Sequence, residues 1–313
     1  MGLSSEELER HCQQILKDRR IKNKIVVLCE GKIINVTGRL SPQAYKRIEQ
    51  MPDANFYKKC VPKSWNDKPK PQFFNCGDRS GVIDSYFKLL QLSSSNQSYL
   101  DKSKLFALVD LDIQSHKIDN YLYSDTEQIF NNLYRHTRVI KDQVERHFIW
   151  VTGLIHKEAY FITPNMQQVF DHSILSPQYD NSPVLLKDLY FKICCEMTED
   201  PDLESNFNRV ANRINYHQDI NCDSLKQLKY FWKNELTKCR EVPEIRELIF
   251  NLLTIIKAKK YWHQIKPSNH WTKEDFIFRE QLSLEIGEFY SRLDWHNPKH
   301  HIPYFFNTLY NLA

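Results

Sequence analysis

Glycine is scarce, with seven in 313 residues, and this argues against the glycine-rich loops that cradle phosphates in nucleotide-binding folds. No CxxC pair occurs among the eight cysteines (12, 29, 60, 76, 194, 195, 222 and 239). Paired-thiol zinc sites are therefore not indicated, and reduced thiols in a cytoplasmic protein are the expectation. There is no apolar run of the roughly eighteen residues that a membrane span needs. The segment 1–10 is polar and acidic and has no apolar core for a secretion signal. Gly2 does not make a myristoylation signal, because Glu6 stands where Ser or Thr is wanted. Charge excess is missing too: 43 Lys and Arg face 39 Asp and Glu, so only a local basic patch could mark a polyanion binder. No internal repeat or low-complexity segment is visible.

What is present centres on Lys104-Leu105-Phe106-Ala107-Leu108-Val109-Asp110-Leu111-Asp112. Its apolar run predicts a strand buried on both faces, as in the middle of a parallel sheet. Strand alternation predicts that Asp110 and Asp112 project from one side, with Cα atoms roughly 6.5 to 7 Å apart. Two such charges at about 5 Å repel by roughly 3 kcal/mol at an effective dielectric of about 20, which invites a neutralising metal. A second buried strand, Lys24 to Cys29, delivers Glu30-Gly31-Lys32, where the glycine lets backbone approach a ligand closely.

Around these strands the chain alternates. Ser4 and Ser5 cap a first helix with acids early and bases late, and Ser41-Pro42 starts another, placing Ala44, Tyr45 and Ile48 on one face. Residues 62–71, rich in lysine and proline, read as a solvated connector. Residues 72–76 read as a strand, Gly77-Asp78-Arg79-Ser80-Gly81 as its turn, and Val82 to Leu90 as a helix, a βαβ order that favours parallel pairing. Tyr121-Leu122-Tyr123 is a short strand candidate. Ser124 with Glu127 fits a capping box, while Asp125 or Glu127 could instead add an acid near the metal. His147 to Gly153 reads as strand and turn. Lys157 beyond it could stabilise an anionic transition state or pair with Glu158 at the surface.

After Pro164 the period becomes helical, over 185–197, 225–239, 244–262 and 274–293. The expected organisation is an α/β domain at 1–164 and an all-α domain at 165–313. Lys257, Lys259 and Lys260 close the best helix, as the helix dipole favours. Trp262, Trp271 and Trp295 are core or interface residues that could alternatively stack on bases. His300-His301 lacks the second ligand pair of a zinc site.

A strand ending in Glu30-Gly31, a strand-helix unit and a strand ending in Asp110-Leu111-Asp112 resemble the Toprim fold of topoisomerases, bacterial primases and OLD-family nucleases. The Phe73 to Leu90 segment and Ser124-Asp125-Thr126-Glu127 resemble the layout of small OLD-related Toprim proteins associated with phage defence. The resemblance covers 21–164. It implies Mg²⁺ or Mn²⁺ held by Glu30, Asp110 and Asp112, with Asp125 and Glu127 as further acids. Lys157 would match a basic residue of some OLD nucleases, and the activity would be hydrolysis of DNA or RNA, more in keeping with DNA. OLD-type sequences often carry a second acid four residues after the glutamate; here Ile34 occupies that place, with Asn35 next. Two other readings follow. One is an inactive Toprim-like module that binds nucleic acid or a protein partner through the helical half. The other is a haloacid-dehalogenase-like phosphatase, with Asp110 as nucleophile and Asp112 as acid, although that motif usually lies near a chain start.

Overall fold

In the computed structural model, residues 4–33, 52–93, 98–218, 222–238 and 242–312 are described. Gly2, Ile34 and Asn35, the helix expected from Ser41-Pro42, and Cys239 lie outside the described residues.

Four segments become parallel strands: β1 (Val26–Cys29), β2 (Gln72–Asn75), β3 (Leu105–Val109) and β4 (Ile149–Val151), every residue of them buried. Their order is β2-β1-β3-β4. Burial on both faces explains why β1, β3 and β4 are continuous apolar runs without polar alternation; β2 carries the buried polar Gln72 and Asn75 at its ends. The chain leaves β1 toward β2 on one side and returns to β3 on the other. The β1/β3 junction is thus the topological switch point, where open parallel sheets leave a crevice at the strand carboxyl ends. Register pairs Cys29 with Leu108, so Glu30 and Asp110 emerge at the same end of two neighbouring strands, one residue out of step.

Helix α1 (Ser5–Leu16) begins with a capping box between Ser4 and Glu7. It packs on α3 (Arg79–Leu92), which lies on β1 and β3, while α2 (Pro52–Cys60) packs on β2. Asp78 caps α3 by accepting from the Gly81 N–H. Then come α4 (Thr126–Leu133), α5 (Leu186–Glu196), α6 (Phe207–Gln218), α7 (Leu225–Lys238), α8 (Val242–Leu253), α9 (Asp275–Tyr290) and α10 (His301–Leu312).

The architecture is α/β, a parallel sheet flanked by helices with a helical carboxyl-terminal region, as the sequence leads one to expect. The change at 164/165 is one of secondary structure rather than of core. Helix α9 packs on α2, Phe305 of α10 meets Trp150 of β4, and Phe306 meets Phe73 of β2. Buried side chains from both halves form one cluster. Fully burying one such aromatic contributes roughly 1.5 to 3 kcal/mol, so the tail helices are a structural part of the sheet's cover.

Several local expectations differ. The 62–71 connector is anchored, because Trp65 is 1% exposed against Phe306 and Tyr310. Residues 121–123 are not a strand; instead the Tyr121 hydroxyl accepts from the N–H groups of Phe148 and Ile149 at the start of β4. The helix expected over 244–262 breaks after Leu253 and resumes as the short turn Lys259–Trp262. His301 is buried, its Nε2 2.8 Å from the Thr137 carbonyl. Among the described residues no helix is long and apolar enough to cross a membrane, and the described cysteines are all free thiols.

Candidate functional site

Glu30 is the first residue past β1 and Asp110 the first past β3. The Glu30 side chain crosses to the neighbouring strand, where its Oε1 accepts from the Asp110 N–H at 2.7 Å. Asp110 Oδ1 in turn accepts from the Lys157 N–H at 3.1 Å. Gly31 makes this approach possible. Its φ of 150° is one that other residues rarely adopt, and a Cβ there would lie 2.6 Å from Asp53 Oδ2 and from the Asn75 side chain. Reciprocal backbone hydrogen bonds to Gly77, at 2.8 and 2.9 Å, hold the turn.

The electrostatics are those of an uncompensated acid pair. Burial is the first cause of a raised pKa at Glu30, opposed by the Asp110 N–H and by Arg79 and reinforced by Asp112 and Asp78, with the carboxyl pushed up to about 7. Burial likewise holds Asp110 well above the carboxylate range, with Glu30 and Glu158 adding to it. Without a cation the pair therefore tends to keep a proton near neutral pH.

Lys157 lies at the start of a 3₁₀ turn (Lys157–Ile162), 14% exposed, with its ammonium on the Asp53 carboxylate and 3.8 Å from Glu158. Burial lowers its pKa, partly offset by Glu158. At Glu158 burial acts upward, but His156, with Nδ1 at 3.3 Å, and Lys157 outweigh it and hold the group below the usual carboxylate range.

Asp112 does not follow the strand alternation. Strand β3 ends at Val109 and Asp112 has a φ of 53°, because its N–H is drawn to the Ile155 carbonyl at 2.8 Å rather than continuing a ladder. Its side chain is 51% exposed, with Oδ2 3.9 Å from Arg79, whose other nitrogen donates to the Leu111 carbonyl. Asp112 thus adds negative field to the pair from its edge.

Asp125, not Ser124, is the N-cap of α4, accepting from the Gln128 N–H at 2.9 Å. Glu127 is bonded through both oxygens, at 2.8 and 2.5 Å, to Arg213, which is 2% exposed and also donates to the Asp112 and Thr254 carbonyls. The structure thus brings together Glu30, Asp110 and Lys157, leaves Asp112 at the rim, and occupies Asp125 and Glu127 with a cap and an ion pair.

The donor set is all oxygen and hard, which suits Mg²⁺ or Mn²⁺. Among the described residues no group of three or more His, Cys, Asp or Glu side chains is arranged to hold a metal ion. The fit is therefore to a water-rich site on Glu30 and Asp110, since Mg²⁺ commonly keeps several waters and takes one or two carboxylates plus substrate phosphate. The closed trio with Asp112 is not formed.

Sequence reasoning missed Asp53, Arg79 and Arg213. An acid in a first helical turn, such as Asp53, carries no signal beyond dipole complementarity, and Arg213 lies 86 residues from its partner. The tryptophans are packing residues: Trp262 is 4% exposed, Trp271 sits edge-on to Phe278, and Trp295 lies against Trp65 and Tyr310. Lys257 and Lys260 pair with Asp202 and Glu196. Comparison of the chain with protein-family models, with curated proteins and with solved structures gave no match.

Proposed function

We propose that this chain binds Mg²⁺ or Mn²⁺ at the Glu30–Asp110 pair and hydrolyses phosphodiester bonds of a nucleic acid, DNA before RNA, as the Toprim resemblance implies. The observation that carries the reading is the placement of two part-buried carboxylates at the switch point of a parallel sheet, bridged through the Asp110 N–H and both driven toward protonation. Perturbed acids cluster at functional sites, which makes this pair a functional-site candidate. When bound, the cation supplies charge neutralisation of a phosphate and a lowered pKa for its water.

This chain's own residues do the rest. Asp110 is oriented by the Lys157 N–H, which leaves its Oδ2 as the donor oxygen. Glu30, whose carboxyl burial pushes up to about 7 without a cation, would be held ionised as a ligand once a cation is bound. Arg79, 14% exposed and 3.9 Å from Asp112, offers a guanidinium suited to a phosphate oxygen. The dehalogenase-like reading is less favoured, because Asp112, which it needs as the acid, turns away to the rim with a φ of 53° and a side chain 51% exposed. The second reading, a module that binds without turnover, is favoured by one observation: Asp112 stands off at the rim. A role in phage defence and a protein partner on the helical region belong to the same reading as the resemblance.

The test is cleavage of plasmid DNA and of labelled RNA by the full chain with Mg²⁺ or Mn²⁺, beside Glu30→Gln and Asp110→Asn. The expected outcome is cation-dependent cleavage lost by at least 100-fold in both variants, with far-ultraviolet circular dichroism unchanged. Equal cleavage by all three would assign the activity to another site or a contaminant. Cation binding without turnover would favour the module.

A further inference from the structure

The amino-terminal edge of the sheet, at the far end of the strands from the acid pair, carries a row of cations. Lys24 precedes β1, Lys70 precedes β2, Lys104 precedes β3 and Arg146 precedes β4, each by three residues or fewer. Val26 pairs with both Gln72 and Leu105, and Ala107 with Ile149. Carried back to the strand starts, that register sets all four within one residue of a common line, on backbones about 4.8 Å apart from strand to strand. Lys70 and Arg146 are exposed, Lys24 and Lys104 half-buried. Among the described residues none of the four is held in an ion pair, whereas Lys59, Lys260 and Lys266 stand on Glu288, Glu196 and Asp275. Acids in the same segments are otherwise engaged: Asp18 holds Arg20, and Asp101 caps the turn that ends in Lys104 by accepting from the Ser103 N–H. Glu145, exposed next to Arg146, is the remaining carboxylate beside the row.

Flanking charges keep apolar strands from aggregating, but either sign serves that purpose, and here all four are positive. At the β4 end the row meets aromatic rings. Phe148, half-buried, stacks on Phe106 at 5.4 Å, and the half-buried Tyr121 is pinned there by its hydroxyl, which accepts from the Phe148 and Ile149 N–H groups. Leu122 beside it is 71% exposed. We propose that this edge binds a single-stranded nucleic acid, with phosphates on the cation row and a base against Phe148 or Tyr121. A row of like charges matches a phosphate backbone, and half-exposed rings serve bases that are not already stacked within a duplex. DNA and RNA strands share this chemistry. Six residues of chain, about 20 Å when extended, separate Lys24 from Glu30 and Lys104 from Asp110. The surface is therefore distinct from the acid pair and does not rest on the cation reading.

The test is fluorescence anisotropy of labelled oligothymidylate and oligouridylate with the full chain, in chelator and over a range of salt. Lys24→Gln/Lys70→Gln/Lys104→Gln should weaken binding at least tenfold. It should also flatten the slope of log K against log salt by about 2, since each phosphate neutralised on a single strand contributes about 0.7. The control Lys59→Gln/Lys260→Gln/Lys266→Gln removes the same charge elsewhere and should stay within twofold of the wild type. Phe148→Leu should weaken binding at least threefold with the slope unchanged; circular dichroism melting shows that each variant is folded, and the charge variants carry the test if Phe148→Leu melts early. Binding of either oligonucleotide with this pattern supports the proposal, and the ratio of the two assigns DNA or RNA. Equal losses in both triple variants, or tighter binding of the duplex of the same length, would overturn it. So would retention on phosphatidylserine vesicles without oligonucleotide binding, which would assign the row to a membrane surface. Because divalent cations are absent throughout, failure of the acid-pair reading leaves this binding in place, and failure of this binding leaves that reading in place.

Discussion

Two acidic junctions flank the turn after β3, and they are solved oppositely. At Glu127 a fixed guanidinium, Arg213, takes both carboxylate oxygens and ties the Asp112 and Thr254 carbonyls into the same fork. At Glu30 and Asp110 no guanidinium is bonded to either carboxylate among the described residues; backbone N–H groups orient them, and burial leaves both carboxyls raised. A charge answered by a permanent cation is a piece of architecture. A pair left short of positive charge is, on the proposed reading, a place for an exchangeable one. The helical region contributes to the first junction directly, since Arg209 and Arg213 of α6 donate to Ile113 and Asp112.

The largest expected effect breaks the first junction. Arg213→Met strands the part-buried Glu127 carboxylate and frees two backbone carbonyls. Removing one partner of a buried pair typically costs about 3 to 5 kcal/mol, measurable as a lowered denaturant midpoint in urea unfolding. The loss should be the same with and without Mg²⁺. Next comes Gly31→Ala, which meets both a clash at 2.6 Å with Asp53 and Asn75 and a φ of 150°. A cost of roughly 1 to 3 kcal/mol is expected, together with loss of cation-dependent stabilisation, because the same turn aims Glu30.

At the second junction the sign reverses. The Glu30 pKa, raised from 4.5 to about 7 in the fold, means that the folded state binds more protons than the unfolded state between those values. Stability from this group is therefore complete below about pH 4.5 and is lost as pH rises through about 7. Each pKa unit of that rise corresponds to roughly 1.4 kcal/mol. Buried His11 and His147, both lowered to about 4, pull the other way between about 4 and 6.5, so the informative quantity is the difference between wild type and variant. Metal-free Glu30→Gln should match or exceed wild-type melting temperature at pH 8 and lose that advantage at pH 5. Mg²⁺ should stabilise the wild type more at pH 8 than at pH 5, and should leave Glu30→Gln unmoved.

Strands β1 and β3 and their junction were legible because a parallel sheet buries both faces, which makes each of the two a plain apolar run followed by its acid. Helix α10 was not, for a related reason: residues 301–309 are all buried, so the segment carries no polar face and no helical period to read. The direction of Asp112 was hidden because alternation holds only while a strand continues, and β3 ends at Val109, after which the Asp112 N–H goes to the Ile155 carbonyl. The Asp53–Lys157 pairing depends on how α2 and the turn after β4 are set against the sheet. Neither residue has a local pattern that announces the other.

The smallest effect sharpens the comparison at Asp125, where an acid expected near a metal is used as a helix cap. Its Oδ1 takes the Gln128 N–H at 2.9 Å, one of the donors that a helix start leaves without a partner in the backbone. Asp125→Ala should therefore cost about 1 kcal/mol, and Asp125→Ser should recover most of it, because a hydroxyl caps nearly as well as a carboxylate. A ligand would behave differently, since serine lacks the charge, and the deficit of both variants would grow with Mn²⁺ concentration as the wild type alone gained binding energy. Urea midpoints of the three proteins, with and without saturating Mn²⁺, distinguish the cases. Equal deficits in both conditions, largely repaired by serine, place Asp125 with Glu127 in the architecture and leave the exchangeable charge to Glu30 and Asp110.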